Sequence, residues 1–152
     1  MKVIFLDIDG VLNMYGDSCR TFMKPYGQHI EPHLVARLNY VLENVNDLKI
    51  VISSSWRLNM KDLEKQMTEQ GFKYWDYVVG KTPSGEARGL EILAWLSDKE
   101  IEKYLVIDDE HFDICGKKCN VIPSNRFLQT DGNEGLLNKD ALHIIKYFKD
   151  NA

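Results

Sequence analysis

Apolar runs of strand length alternate with helix-period segments along the chain. Residues 3–8 open on Val-Ile-Phe-Leu, an unbroken apolar run of the kind a strand covered on both faces requires. Residues 32–43 carry Leu34, Leu38, Val41 and Leu42 at helical spacing, with Val45 beyond and Pro32 where a first turn accepts proline. Residues 49–53 form a second buried run. Residues 59–70 set Met60, Leu63 and Met67 on one face of a helix that Gly71 stops. A third strand is expected at 75–79, a helix at 87–97, a fourth strand at 104–107 and a short fifth at 120–122. Asn138 is placed to cap a last helix running to Phe148. This alternation predicts an α/β fold with a mostly parallel central sheet flanked by helices. No repeat, low-complexity tract or linker interrupts the pattern, so one domain over 1–152 is expected. The longest connections are 13–31 and 110–119.

In open sheets of this kind, ligands sit outside the carboxyl ends of the strands. Three of the predicted strands end in polar clusters: the first in Asp7-Ile8-Asp9, the second in Ser53-Ser54-Ser55, the fourth in Asp108-Asp109. Each has an ordinary explanation taken singly, as a turn, a loop or a cap. Together they gather four aspartates at one sheet edge. Ionised carboxylates so placed repel one another and are costly to bury without a counter-charge. A hard divalent cation with oxygen ligands resolves the conflict, and Mg²⁺, which keeps positions for phosphate oxygens, suits it best. Asp7, Asp9, Asp108 and Asp109 are the candidate ligands.

That chemistry gives each residue type a role. Asp7 can attack phosphorus as a nucleophile. Asp9 is placed to protonate the leaving oxygen and later to deprotonate water. Gly10 lets the backbone turn close to a phosphate. The hydroxyl of Ser53 or Ser54 can hold a phosphoryl oxygen, and Arg88 or Lys81 can offset its charge. Arg57, just after the serines, is either a phosphate contact or the partner of a nearby acid. Arg20, Lys24, His29 and His33 belong to the first long connection or its edge, as entrance or solvated residues. Trp56 reads as core packing, and Lys117-Lys118 as a solvated turn.

Composition narrows the setting. The chain has 152 residues, 44% hydrophobic and 28% charged, with a formal net charge of −4. That balance carries no global basic footprint for nucleic acid, although a local groove is compatible with it. No apolar run approaches the roughly 20 residues of a membrane span, and the chain shows no signal-peptide layout. Cys19, Cys115 and Cys119 complete no zinc pattern. Reduced thiols, a cytoplasmic setting and no obligate protein partner are expected.

The conjunction of motifs resembles the haloacid dehalogenase (HAD) superfamily of phosphohydrolases. Its first motif stands here as Phe5-Leu6-Asp7-Ile8-Asp9-Gly10-Val11-Leu12, its second as Val51-Ile52-Ser53-Ser54, and its fourth as Val106-Ile107-Asp108-Asp109, with Asp113 as a further acid. The third, a cation at or before the next helix, is met by Arg88 or by Lys81. More closely, Ser53-Ser54-Ser55-Trp56-Arg57, the helix from Arg88 to Trp95, Asp108-Asp109-Glu110 and Thr130-Asp131-Gly132-Asn133-Glu134-Gly135-Leu136 look like the HAD domains related to Swiss Army Knife RNA repair proteins. The resemblance implies a Rossmann-like HAD fold and Mg²⁺-dependent hydrolysis of phosphate monoesters through an aspartyl-phosphate. The second aspartate implies phosphotransfer rather than dehalogenation.

HAD enzymes acting on small metabolites often carry an inserted cap. The spans from Asp9 to Ser53 and from Arg57 to Arg88 leave no room for a large one; only the 13–31 loop, with Gly16, Pro25 and Gly27, is suited to a small flap. An open site is therefore expected, taking a small phosphorylated molecule, a nucleotide or a nucleic-acid end. The alternatives are a non-catalytic or signalling domain that binds Mg²⁺ and phosphate, and a nucleic-acid-binding accessory module. A response-regulator receiver also gathers acids at strand ends, but its acid pair would precede the acceptor strand.

Overall fold

The computed structural model describes residues 1–15 and 29–150. The flap expected in the first long connection, with Arg20 and Lys24, falls largely outside them. The described elements are β1 (Lys2–Leu6), α1 (Pro32–Asn44), β2 (Leu48–Ile52), α2 (Met60–Glu69), β3 (Val78–Lys81), α3 (Arg88–Leu96), β4 (Lys103–Asp108), β5 (Phe127–Gln129) and α4 (Asn138–Lys149). The strands form one sheet in the order β3-β2-β1-β4-β5, and every pairing is parallel. This is the α/β architecture that the alternation predicted, in the Rossmann-like form that the resemblance implied.

Strand β1 lies at the centre of the sheet and is buried on both faces. Its side chains alternate between two cores. Ile4 and Leu6 join Leu34 and Leu38 of α1, Leu63 of α2 and Ile144 of α4 on one face. Val3 and Phe5 meet Val51, Val106 and Ile92 of α3 on the other. Residues Val3 to Leu6 are wholly buried. Full burial of side chains of this size contributes about 1.5–3 kcal/mol each.

The sequence expectations fail at the sheet edges, where apolar patterning is weakest. Residues 75–79 do not form one strand. Trp75–Tyr77 is a 3-10 turn, closed by the Tyr77 N–H donating to the Tyr74 carbonyl, and β3 begins only at Val78. The fifth strand is Phe127–Gln129, not 120–122. Asn120 makes an isolated antiparallel bridge with Cys115, and Ile122 is buried as a plug in the second core. Both edge strands are only partly buried, so they lack the unbroken apolar run of the central strands. At α4, Asn138 is the first helical residue rather than the cap. Asp140 performs the capping, accepting from the Leu137 N–H at 2.9 Å, while Asn138 Oδ1 accepts from Arg37 Nε at 3.0 Å.

Candidate active site

Parallel pairing continues one residue past several strand ends, and this fixes the polar residues by their backbones. Ser53 N–H donates to the Leu6 carbonyl at 2.8 Å, Asp7 N–H to Ile107 at 3.0 Å and Thr130 N–H to Asp108 at 3.0 Å. Ser53, Asp7, Asp108 and Thr130 thus stand side by side along one edge, in the order of the strands. A cleft of about 330 Å³ opens beside them, lined by Asp7, Asp9, Tyr15, Ser55, Arg88 and acids of the 108–113 segment.

Asp7, Asp108 and Asp109 each bring a carboxylate oxygen within 4.8 Å of the others. Arg88 Nη1 bridges two of them, 3.1 Å from Asp7 Oδ1 and 2.8 Å from Asp108 Oδ2. Burial, and then the neighbouring Asp108, push the Asp7 carboxyl well above the usual range, with Arg88 opposing them. Burial pushes Asp108 up to about 6, again against Arg88. Burial works against the charge of Arg88, but Asp108 and Asp7 outweigh it and hold the guanidinium protonated. One guanidinium among three carboxylates leaves an excess of negative charge. The donor set is all oxygen, so the cluster fits a hard divalent cation.

Gly10 is required by backbone and space together. Its φ is +82°, and a Cβ there would stand 2.6 Å from the Asp109 carboxyl carbon. The turn it makes lets the Val11 and Leu12 N–H groups reach the Ile8 carbonyl, and Thr130 Oγ1 donates to the Gly10 carbonyl at 2.8 Å.

The aspartate two residues after Asp7 is held apart from the three-carboxylate cluster. Asp9 Oδ1 accepts from Asn13 Nδ2 at 2.8 Å and from Trp56 Nε1 at 3.0 Å. Tyr15 stands at the cleft, where burial and the neighbouring Asp109 carboxylate raise its pKa.

The remaining candidates separate by position. Ser53 is buried, and among the described residues its Oγ has no hydrogen-bond partner. Ser54 Oγ accepts from the Trp56 N–H at 3.3 Å and caps the 3-10 turn Ser55–Asn59. Arg57 points into the protein, with Nη2 2.9 Å from Glu91 Oε2 and Nη1 donating to the Ser54 carbonyl at 2.9 Å. Lys81 Nζ donates to the Arg57 carbonyl at 3.1 Å, whereas Arg88 holds the acids. Asp113 Oδ2 accepts from the Arg88 N–H at 3.1 Å, capping α3 from another segment. His33 lines a groove between α1 and α4. Lys117 and Lys118 are exposed in the turn between Cys115 and Asn120.

Asn13 and Tyr15 at the site were not singled out from the sequence for it, and Ser55 and Thr130 were named only within longer stretches, with no role. The Asn13 signal was available, since an Asn four residues after an acid in a glycine turn is a local side-chain partner. No helix among the described residues is long and apolar enough to cross a membrane.

No curated protein matches the sequence. Residues 3–141 match the family described as the HAD domain in Swiss Army Knife RNA repair proteins, so the chain belongs to that family.

Proposed function

We propose that the protein is a Mg²⁺-dependent phosphatase that hydrolyses phosphate monoesters through an aspartyl-phosphate on Asp7. The observation that carries this reading is the contact of Arg88 with both Asp7 and Asp108 beside the unpartnered hydroxyl of Ser53. It puts a nucleophile and a fixed positive charge in contact, with a spare hydrogen-bond donor at the end of the neighbouring strand, the set that phosphoryl transfer needs.

Asp7, Asp108 and Asp109 would hold the cation, which when bound supplies positive charge against the phosphoryl oxygens. Arg88 opposes the protonation of Asp7 and orients it for attack. The Ser53 hydroxyl donates to a phosphoryl oxygen, and Gly10 admits the phosphate close to the backbone. Asp9 gives its proton to the leaving oxygen, then takes one from the water that cleaves the aspartyl-phosphate.

The substrate end of the proposal rests on the cleft. Among the described residues no separate cap covers it, so a phosphate carried on a nucleotide or nucleic-acid end can reach Asp7. A cytoplasmic setting and action without an obligate protein partner belong to the same reading.

The test is hydrolysis of 4-nitrophenyl phosphate and of 3′- and 5′-phosphorylated oligonucleotides, with Mg²⁺ and with EDTA. Phosphate release that EDTA abolishes and Asp7→Asn removes is expected. Binding of Mg²⁺ and phosphate without turnover of any ester would overturn the enzyme reading in favour of a binding domain.

A further inference from the structure

We propose that Trp56 and Asn13 are positioning residues that fix which oxygen of Asp9 handles the proton, an inference resting on the phosphatase reading above. Both N–H donors fall on the same oxygen, Oδ1, at 3.0 and 2.8 Å. Among the described residues, Oδ2 has no donor. Asp9 lines the cleft with Asp7 and Arg88.

Neither donor is free to turn away. Asn13 is wholly buried, and its Oδ1 accepts the Gly10 N–H at 2.8 Å. Reversing its amide would set an oxygen against Asp9 and an NH₂ group against the Gly10 N–H. Trp56 is anchored through its backbone N–H to Ser54 Oγ, and its ring packs against the larger core. The two donors belong to different segments, one in the turn that carries Asp9 and one in the turn after β2. They meet on one carboxyl oxygen, with Trp56 lying 47 positions from Asp9 in sequence.

The chemical consequence follows from what an N–H can bond. It donates to an oxygen lone pair, so Oδ1 stays an acceptor in both protonation states and the proton resides on Oδ2. In the first step an Asp7 oxygen bonds to phosphorus and the ester P–O bond breaks. The electron pair leaves on the ester oxygen, which takes the proton from Asp9 Oδ2. In the second step water bonds to phosphorus, the bond from Asp7 oxygen to phosphorus breaks, and the water proton passes to Asp9 Oδ2. A carboxyl free to rotate would present its proton in the wrong place for part of the time, and a misplacement of about 1 Å can cost about 10²-fold in rate.

Trp56→Phe keeps the ring and deletes the N–H. The expected result is a drop of about tenfold in kcat on an alkyl phosphate, the size of one hydrogen bond to a charged group. KM should hold, and 4-nitrophenyl phosphate, whose leaving group needs no proton, should lose less than about twofold. Trp56→Phe added to Asp9→Asn should cost nothing more. Equal losses on both esters, or additive losses in the double variant, would overturn the proposal. A wild-type protein inactive on every ester would instead sink the phosphatase reading, and the proton-handling role with it. A reading independent of activity is the indole N–H resonance of Trp56, told apart from those of Trp75 and Trp95 by Phe substitutions at those positions. It should shift in Asp9→Asn, where the charged acceptor is lost. An unmoved resonance would overturn the contact itself, even if Trp56→Phe fails to fold.

Discussion

Arg57 and Glu91 form an ion pair 2.9 Å long with both side chains about nine-tenths buried. It joins the turn after Ser54 to α3, the helix that begins with Arg88. The same Glu91 oxygen accepts the Gly85 N–H at 2.7 Å, so three segments meet on one carboxylate. Removing one partner strands the other charge. Arg57→Met should destabilise the fold by about 3–5 kcal/mol, and Arg57→Met with Glu91→Leu should recover most of that loss. Urea denaturation of the single and double variants measures it; a single variant as stable as wild type would show that the pair holds nothing together.

Asp7→Asn should abolish turnover and yet stabilise the metal-free protein at neutral pH. The folded pKa values of Asp7 and Asp108 are raised, so their ionisation opposes folding. For a carboxyl with a raised pKa, that cost is fully present above the folded value and disappears below the unfolded one. For Asp108 the window runs from about 6 down to the unfolded value near 4. Wild type in EDTA should therefore gain stability from Asp108 as pH falls from 7 to 4, on the order of 3 kcal/mol for the full two-unit shift. Asp7→Asn should start higher and gain less. Thermal melts across that range would refute the argument if the two proteins ran parallel.

Metal dependence should travel with Asp108. Asp108→Ala removes one of three clustered carboxylates, and one carboxylate is a large share of a Mg²⁺ site. The Mg²⁺ concentration for half activity should rise at least tenfold. A ligand at 100 times its Kd stabilises the folded state by about 2.7 kcal/mol, so Mg²⁺ should raise the wild-type Tm measurably and that of the variant much less. An unchanged Mg²⁺ requirement in Asp108→Ala and Asp109→Ala alike would take strand β4 out of the metal site.

The cleft, uncovered among the described residues, sets a substrate expectation. An open site excludes water poorly and selects small bodies weakly, so a phosphorylated oligonucleotide should be hydrolysed at least as well as the matching mononucleotide. Comparison of kcat/KM for the two decides it, and a large advantage for the small ester would point to a cover over the site.

The central strands and their terminal acids were legible in the sequence because burial on two faces leaves an unbroken apolar run, and a charge at its end stands out. Asp7 and Asp108 are of this kind. The edge strands were not, since β3 and β5 are half-buried and short, and the apolar residues at 120–122 fill the core without pairing in the sheet. The third-motif cation was narrowed to two residues by helix position. Only the fold shows Arg88 on the acids and Lys81 on a backbone carbonyl. Arg57 and Trp56 were the hardest to read. Their partners, Glu91 and Asp9, lie far along the chain, and no local pattern announces such contacts.

The central place of β1 has a further consequence, for the time course of folding. Lys2 pairs with Leu48 on one side and with Lys103 on the other. Closing so long a loop is entropically slow, and parallel sheets built of distant segments fold late. A half-folded chain of β1, α1 and β2 has Asp7 and Ser53 adjacent but lacks Asp108 and Arg88. Its nucleophile meets neither the acid that repels it nor the cation that steadies it. The arrival of β4 and α3 brings both together, so the crowding of charge at the site is deferred to the end of assembly. Recovery of phosphate release during refolding would then lag recovery of secondary structure.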